Sequence, residues 1–471
     1  MKRLAFCFDG TWNDIEMGNP TNVAKTAQSI AHSDNDVRQV VYYDEGVGTG
    51  DFESQLSKIE NVAAGMFGWG LRDNIIEAYT FLVINYEPGD EIYVFGFSRG
   101  AFTARSFVGL IRNVGIVDRR HLKNIREAID LYTSREAGDH PDTDYCRRFR
   151  NERQQNACLE RDLDWLDENF KGEDHRSKPL ISVQYLGVWD TVGALGLPVP
   201  DFVEEKINRE YGFHDTNLST FVTNARHAVA ADERRKTFRP TLWGNIDGLR
   251  RSYPGRYDEK IFPGTHGAVG GGGPIVGLSD AALEWVIRGA QEAGLAVDAS
   301  DGSPLYRLQP NHRASLHNVA GKNDWDWRDG LMGVGLKDRE FPNLNIEDIH
   351  ESLIWRFNDD TMENELDGLY RPPPLSKIFD DIAARKPEFK ADPSKEVFEG
   401  KINEQGELTA PKRVEKYKIT AGDDLGRIAR RFFDGNTEMG EVIFLHNARI
   451  GRLHNRDKMY VGRVIEIPYY M

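Results

Sequence analysis

Apolar runs and helical patterns alternate along the first 110 residues of the chain. The stretches LAFCFDG and VRQVVYYDEG are short apolar runs that end in turn residues, and NIIEAYTFLVINY has its apolar residues at helical spacing. EIYVFGF, which follows, is typical of a buried strand. Alternating strand and helix signals indicate parallel strands covered by helices. We therefore predict an α/β fold with a mainly parallel sheet.

Later segments extend this alternation and divide the chain. LISVQYLGVWD (180–190) and YDEKIFPGTH (257–266) are further candidate strands, whereas residues 119–178 are charged and helical in pattern, as in an insertion over the sheet. The apolar pattern thins from 386 to 415, which indicates a linker. Residues after the linker regain a strand, helix, helix, strand order. The predicted units are a main domain over 1–385, a linker over 386–415 and a small βααβ domain over 416–471.

Composition is that of a folded protein with a substantial core. The chain has 471 residues, of which 39% are hydrophobic and 29% charged, enough for one large domain or two to three ordinary ones. Three cysteines at irregular spacing do not form a disulfide framework, which predicts folding in a reducing compartment; they are Cys7, Cys146 and Cys158. The apolar run before Asp9 is too short for a signal-peptide core, and no stretch is long enough to span a bilayer.

Charge and spacing argue against two further classes of protein. The net charge of −15 disfavours nucleic-acid binding, because a surface that tracks phosphates needs clustered Lys and Arg. The chain has no H-E-x-x-H motif, cysteine cluster or EF-hand spacing, so we predict no zinc site and no required cofactor. Calcium stays possible near Asp9 or Asp190, because oxygen ligands leave little trace in a sequence.

The pentapeptide Gly96-Phe97-Ser98-Arg99-Gly100 fits G-x-S-x-G and lies between a predicted strand and a predicted helix. This context is that of a nucleophile elbow, in which flanking glycines let strand and helix pack closely around an exposed serine hydroxyl. Glycine-flanked serines also occur in ordinary turns, which is the plainer alternative. We predict that Ser98 is a nucleophile.

A serine nucleophile needs a base and a carboxylate that orients it. In this kind of site the order along the chain is Ser, Asp or Glu, then His, with each partner after a strand. Asp190 ends LISVQYLGVWD and His266 ends KIFPGTH, so both fit. Asp190 could instead cap a helix, and His227, in a stretch of helical spacing, is a competing histidine.

The oxyanion hole requires two backbone donors. We predict that one is the N–H of Arg99, directly after the nucleophile. The second is predicted in the loop after the first strand, from Gly10 or Thr11. A plain strand-ending turn is the alternative interpretation of that loop.

Several blocks of the sequence together resemble a known family. The bacterial and fungal α/β hydrolases that include phospholipase effectors of type VI secretion have similar blocks in the same order along residues 1 to 380. The blocks are FCFDGTWN, YYDEGVGTG, IIEAYTFLVINYEPGDEIYVFGFSRGAFTAR, GVWDTVGALG, ADERRKTFRP and FPGTHGAVGGG, with LSDAALEW later. The resemblance implies an α/β-hydrolase-like fold, a triad of Ser98, Asp190 and His266, and hydrolysis of phospholipid esters. Ala268 departs from the Asp of the family's histidine block.

The C-terminal segment resembles a LysM module, whose relatives bind N-acetylglucosamine polymers such as peptidoglycan. The blocks that carry the resemblance are YKITAGDDLGRIARRFF, IFLHN and MYVGRVIEIP. Asp424 stands where the module usually has Thr. The resemblance implies four candidate glycan-binding residues, with a purely structural or docking role as the alternative; they are Gly422, Asp423, Asp424 and Asn447.

We therefore hypothesise a serine ester hydrolase acting on membrane phospholipid. It would be an antibacterial effector delivered to the periplasm of a target cell and attached to peptidoglycan by its tail, with a secretion component or an immunity protein as a further partner. The alternatives are a cytoplasmic esterase on small acyl substrates and a docking or glycan-binding protein with secondary hydrolase activity. Trp325 and Trp327 could form an interfacial lid, or they could be core residues.

Overall fold

The protein is described from a computed structural model. The structure describes residues 1–10, 19–46, 60–134, 136–193, 216–300, 303–316, 336–359, 369–385, 413–420, 423–433, 439–450, 453 and 463–469. In this part of the chain, no helix is both long and apolar enough to cross a membrane. Trp325 and Trp327 lie outside the described residues.

Seven strands of the described residues form one sheet in the order β2-β3-β1-β4-β5-β6-β7. All neighbours are parallel except β2, which runs antiparallel to β3. The predicted α/β fold with a mainly parallel sheet is confirmed. The strands are β1 Lys2–Phe8, β2 Ser33–Asp34, β3 Val37–Asp44, β4 Glu91–Phe97, β5 Val183–Trp189, β6 Val222–Ala230 and β7 Tyr257–Phe262.

Helices cover both faces of this sheet. Successive side chains of a strand point to opposite faces, so Leu4 and Phe6 of β1 join one apolar cluster while Ala5 and Cys7 join another. Because both faces are covered, these strands are continuous apolar runs, as in other parallel sheets. The helices are α1 Asn22–Ser29, α2 Glu60–Asn85, α3 Arg99–Val114, α4 Ile125–Thr133, α5 Asp144–Arg153, α6 Leu163–Asn169, α7 Ile246–Ser252, α8 His266–Gly270, α9 Gly277–Glu292, α10 Glu351–Asn358 and α11 Phe379–Ala384.

The strand order reverses direction between β1 and β4. From β1 the chain passes through α1 to β3 on one side, whereas β4 to β7 follow one another on the other side. Loops at the carboxyl ends of two such strands diverge and leave a crevice, which is where open α/β sheets place their sites. The segments that follow β1, β4, β5 and β7 meet at this edge.

The C-terminal segment contains β8 Arg413–Lys418, α12 Leu425–Phe432, α13 Met439–Arg449 and β9 Val464–Tyr469, with β8 antiparallel to β9. Strand β8 begins three residues before the predicted start of this unit at 416. The apolar cluster of the tail also includes Ala268 of α8 and Leu278 of α9. Ala268, which replaces the Asp of the histidine block, therefore lies in an apolar cluster shared with the tail.

One predicted element is wrong. The helical spacing assigned to the stretch around His227 is not a helix, because Val222–Ala230 forms strand β6 between β5 and β7. Buried residues lie on both faces of β6, and a strand buried on both faces loses the period-2 alternation that would distinguish it from a helix. The helical character predicted for 119–178 is confirmed by α4, α5 and α6.

Candidate active site

Ser98 lies at the turn between β4 and α3, in a backbone conformation that residues other than glycine seldom adopt. Its φ and ψ are 59° and −123°, and its amide donates to the carbonyl oxygen of Trp189 at 3.1 Å. Such a conformation costs free energy and persists only where the surrounding structure enforces it. A strained turn that carries a serine from a strand into a helix is the geometry of a nucleophile elbow.

The glycines that flank Ser98 are required by close packing. A Cβ atom on Gly96 would lie 2.5 Å from the carbonyl oxygen of Gly100, and a Cβ atom on Gly100 would collide with the carbonyl oxygen of Phe8. Any larger side chain at either position would push α3 away from β4 or β1. The G-x-S-x-G spacing therefore follows from the approach of two strands and a helix.

Asp190 and His266 meet at the same edge of the sheet. Asp190 directly follows β5, and His266 is the first residue of α8, four residues after β7 ends. The Asp190 Oδ2 atom lies 2.6 Å from His266 Nδ1, and the two residues are 0% and 6% exposed. An acceptor at Nδ1 holds the imidazole in the tautomer whose Nε2 carries a lone pair. The two residues predicted from strand ends are thus brought together.

Arg339 binds Asp190 from the opposite side. Its two terminal nitrogens donate to the two carboxylate oxygens of Asp190 at 2.6 and 2.8 Å, and the amide of Ala230 donates to Oδ1 at 2.9 Å. Burial by itself would raise the pKa of Asp190, but the Arg339 guanidinium and the His266 hydrogen bond hold it well below its usual range. With these partners, both carboxylate oxygens of Asp190 are used inside the protein, and the residue does not cap a helix.

The His266 imidazole is held against aromatic rings. Its centroid lies 4.6 Å from that of Phe97, which precedes the nucleophile, and 4.7 Å from that of Phe238. A Cβ atom on Gly270 would collide with the ring of Phe97, so the glycine run after His266 lets α8 close over β4. Burial lowers the pKa of His266, opposed by its hydrogen bond to Asp190. The neutral form, which can act as a base, is therefore favoured.

No hydrogen bond between Ser98 and His266 is present among the described residues. The His266 imidazole lies near Ser98, because it contacts the ring of Phe97, the residue before the serine. Catalytic hydrogen bonds are often long without substrate and shorten in the reacting complex. The catalytic role of the three residues remains a prediction.

The three residues predicted to supply the oxyanion donors lie in different surroundings. Arg99 begins α3, so its amide belongs to the N-terminal turn of the helix, where N–H groups point out of the helix end. The amide of Gly10 donates to Asp9 Oδ1 at 2.7 Å, and its role as the second oxyanion donor remains a prediction. Thr11 lies outside the described residues.

Most of the described main domain matches the model of one protein family. The family model "T6SS, Phospholipase effector Tle1-like, catalytic domain" matches residues 2–289, which include every strand of the main sheet and the three triad candidates. The chain belongs to this family. The family implies an esterase or lipase type of hydrolase. We call the matched part of the chain the Tle1-like domain.

One curated protein is similar to this chain over part of its length. The uncharacterized protein YEL023C of Saccharomyces cerevisiae is 31% identical over 246 residues, which cover 50% of this chain and 32% of that protein. The chain thus spans about a third of the length of this curated relative.

Two solved structures are also similar. An uncharacterized protein from Pseudomonas aeruginosa has 17% identity and a TM-score of 0.35, with 84% of this chain and 61% of that chain covered. A Tle1 effector bound to the VgrG spike of the type VI secretion system has 18% identity and a TM-score of 0.30, with 59% and 52% covered.

His227 of the Tle1-like domain, the competing histidine of the sequence analysis, has partners inside the protein. It is 0% exposed, its Nδ1 lies 2.8 Å from Glu259 Oε2, and its Nε2 accepts the amide of Thr191 at 3.1 Å. Both ring nitrogens are therefore used inside the protein. Because Thr191 follows Asp190, His227 positions the loop that carries the acid.

Sequence reasoning missed two charged residues beside the triad. One is Arg339; the other is Glu233, whose carboxylate accepts the backbone amide of His266 at 3.2 Å and pairs with Arg235 at 2.8 Å. Burial would raise the pKa of Glu233, but Arg235 lowers it to about 2. Glu233 lies in ADERRKTFRP, one of the blocks that carry the family resemblance, and that block could have pointed to it. Arg339 lies 149 positions from Asp190, and nothing local marks it.

The candidate glycan-binding residues of the tail have mainly structural contacts. Asn447 is 0% exposed, and its side chain bonds the backbone of Ile443 and Glu466. Asp423 accepts from the Tyr417 hydroxyl and from Thr420. The contacts of Asn447 correct its predicted glycan-binding role, because its amide nitrogen and oxygen are both used inside the tail. The glycan-binding role of Asp423 remains a prediction, because these bonds all go to Oδ2, and Oδ1 lies 3.9 Å from Arg431.

Asp424 caps α12 by accepting the amide of Arg427 and remains exposed. Gly422 lies outside the described residues. Among the described residues, no group of three or more His, Cys, Asp or Glu side chains is arranged to hold a metal ion.

Proposed function

We propose that the Tle1-like domain hydrolyses acyl esters of membrane phospholipids, with Ser98 as nucleophile, His266 as general base and Asp190 as the acid that orients the base. The observation that carries the proposal is the position of a strained serine beside a buried His–Asp pair at one edge of the sheet. Family membership supports the ester-hydrolase chemistry.

The reaction begins when Ser98 Oγ attacks the acyl carbonyl and His266 Nε2 takes its proton. Asp190 stabilises the imidazolium that forms, while the Arg99 amide donates to the oxyanion. His266 then gives its proton to the leaving alcohol, and the lipid lacking one acyl chain departs. Water, activated by the same imidazole, attacks the acyl-Ser98 ester and releases a fatty acid.

We further propose that the protein acts as an effector delivered to a target cell through a secretion component. The support is the family, whose members include effectors of type VI secretion. Attachment of the tail to peptidoglycan and protection of the producing cell by an immunity protein remain predictions. Asp424 is an exposed side chain among the four candidate glycan contacts.

The first experiment compares the full-length wild type with Ser98→Ala on phospholipid vesicles and on a short-chain neutral ester. We expect the variant to lose both activities by about 10⁴-fold or more, with an unchanged thermal unfolding transition. Ser106→Ala, on the same helix, is the matched control and should retain activity. Hydrolysis of the short ester alone would support the small-substrate esterase instead, and an active Ser98→Ala would refute the assignment.

A further inference from the structure

A cavity of about 220 Å³ lies between the segment after β6 and the segment that carries Arg339. The two segments are joined by an antiparallel bridge between Arg235 and Leu336 and by the amide of Lys337, which donates to Arg234 O at 2.8 Å. The described residues that line the cavity include five cationic side chains and two carboxylates. Its excess of positive charge contrasts with the net charge of −15 of the whole chain.

Much of this positive charge is already neutralised. Arg339 pairs with Asp190, and Arg235 pairs with Glu233. The two carboxylates of the cavity are also used, since Asp338 pairs with Arg234 at 2.9 Å and Glu340 with Lys337 at 2.7 Å.

Lys236 and Arg239 differ from the other cations of the cavity. Both are exposed, and within the described part of the chain neither makes an ion pair or a side-chain hydrogen bond. They are spaced three residues apart around a 3₁₀ turn, Lys236–Phe238, and line one cavity. Two exposed cations that line one cavity, beside cations already paired with carboxylates, form a site suited to an anion with several oxygens, such as a phosphate.

The cavity shares its walls with the triad. Arg339 contributes to the cavity and binds the carboxylate of Asp190. Arg235 places its guanidinium carbon 3.9 Å from the centroid of Phe238, whose ring contacts His266. A phosphate in the cavity would therefore be one layer of side chains from the imidazole.

We propose that this cavity binds the phosphate of the substrate headgroup, with Lys236 and Arg239 as its principal contacts. The inference rests on the proposed function, because the phosphate belongs to the same phospholipid whose acyl ester the triad would hydrolyse. In a glycerophospholipid, the phosphate and the acyl esters are attached to one glycerol. A cationic cavity next to the triad thus fits the distribution of charge in the substrate.

The test uses soluble substrates, so that attraction to a membrane surface does not contribute. Monomeric dihexanoylphosphatidylcholine carries the phosphate, and dihexanoylglycerol lacks it. We expect the wild type to favour the phosphate ester in kcat/KM. The double variant K236E/R239E should lower that ratio by about tenfold or more, since it removes charge-assisted hydrogen bonds. The double variant K123E/R126E, with the same change of charge on the 119–124 turn and α4, should keep the wild-type ratio.

Two results would overturn the proposal: a wild-type ratio near one, or the same ratio in wild type and K236E/R239E. Failure of the proposed function is a different result, in which the wild type hydrolyses neither ester or Ser98→Ala remains active.

Calorimetric titration of inorganic phosphate into the full-length Ser98→Ala chain tests the cavity without catalysis. Binding that is lost with K236E/R239E supports the site, and absence of binding overturns it. Phosphate binding without a change in the ratio of the two esters would assign the cavity to free phosphate and overturn the headgroup proposal.

Discussion

Two buried histidine–carboxylate pairs among the described residues of the Tle1-like domain differ in the second nitrogen of the imidazole. In both His266–Asp190 and His227–Glu259, Nδ1 contacts a carboxylate, at 2.6 and 2.8 Å. The Nε2 of His227 accepts the amide of Thr191, whereas no described residue is hydrogen-bonded to the Nε2 of His266. A buried pair can act as a base only when its second nitrogen is available to substrate. Sequence context favours His266, which follows a predicted strand, but it does not show which ring nitrogens are used inside the protein.

Replacement of His266 should have the largest effect on activity. We expect His266→Ala to lower kcat for ester hydrolysis by about 10⁴-fold or more, because the serine loses its base. Stability should change little, since Asp190 keeps Arg339 and the Ala230 amide as partners. Initial rates together with urea unfolding measure both quantities. Retention of activity within tenfold would contradict the assignment of the base.

Replacement of His227 should act mainly on stability. His227→Leu leaves Glu259 buried without its imidazole partner, which costs on the order of 3 kcal/mol of unfolding free energy. The double variant His227→Leu with Glu259→Gln removes the unpaired charge and should recover part of this loss. Urea unfolding measures both variants. A loss of activity with no loss of stability would instead place His227 in the catalytic machinery.

Replacement of Arg339 tests how the two pairs differ in charge. Arg339 offsets the negative charge of Asp190, so its removal should raise the pKa of His266. Since the base must be neutral, the acid limb of kcat/KM should move to higher pH in Arg339→Met, by about one pH unit. The pH profile from 4 to 9 is the measurement. Arg339→Lys keeps the charge and should shift less, and an unchanged limb in Arg339→Met would limit Arg339 to a structural role.

Local patterns predicted much of the fold and part of the site. Alternating strand and helix signals were sufficient for the parallel sheet, because buried parallel strands are continuous apolar runs. Ser98 was predictable because the elbow needs glycines at two fixed positions, and Gly96 and Gly100 both lie against backbone atoms. Asp190 and His266 were predictable because they end strands of one sheet. Strand β6 was not predictable from alternation, because it has buried residues on both of its faces.

The sequence by itself determined which residues lie at the carboxyl edge of the sheet, since strand ends and glycine spacing are local properties. Tertiary structure alone decided which of those residues are available. The contact of Arg339 with Asp190 spans 149 positions, the amide of Gly10 donates to Asp9, and the second nitrogen of His227 is taken by Thr191. The physical reason is that a hydrogen bond depends on distance and direction in space, and composition and spacing specify neither for residues far apart in the chain.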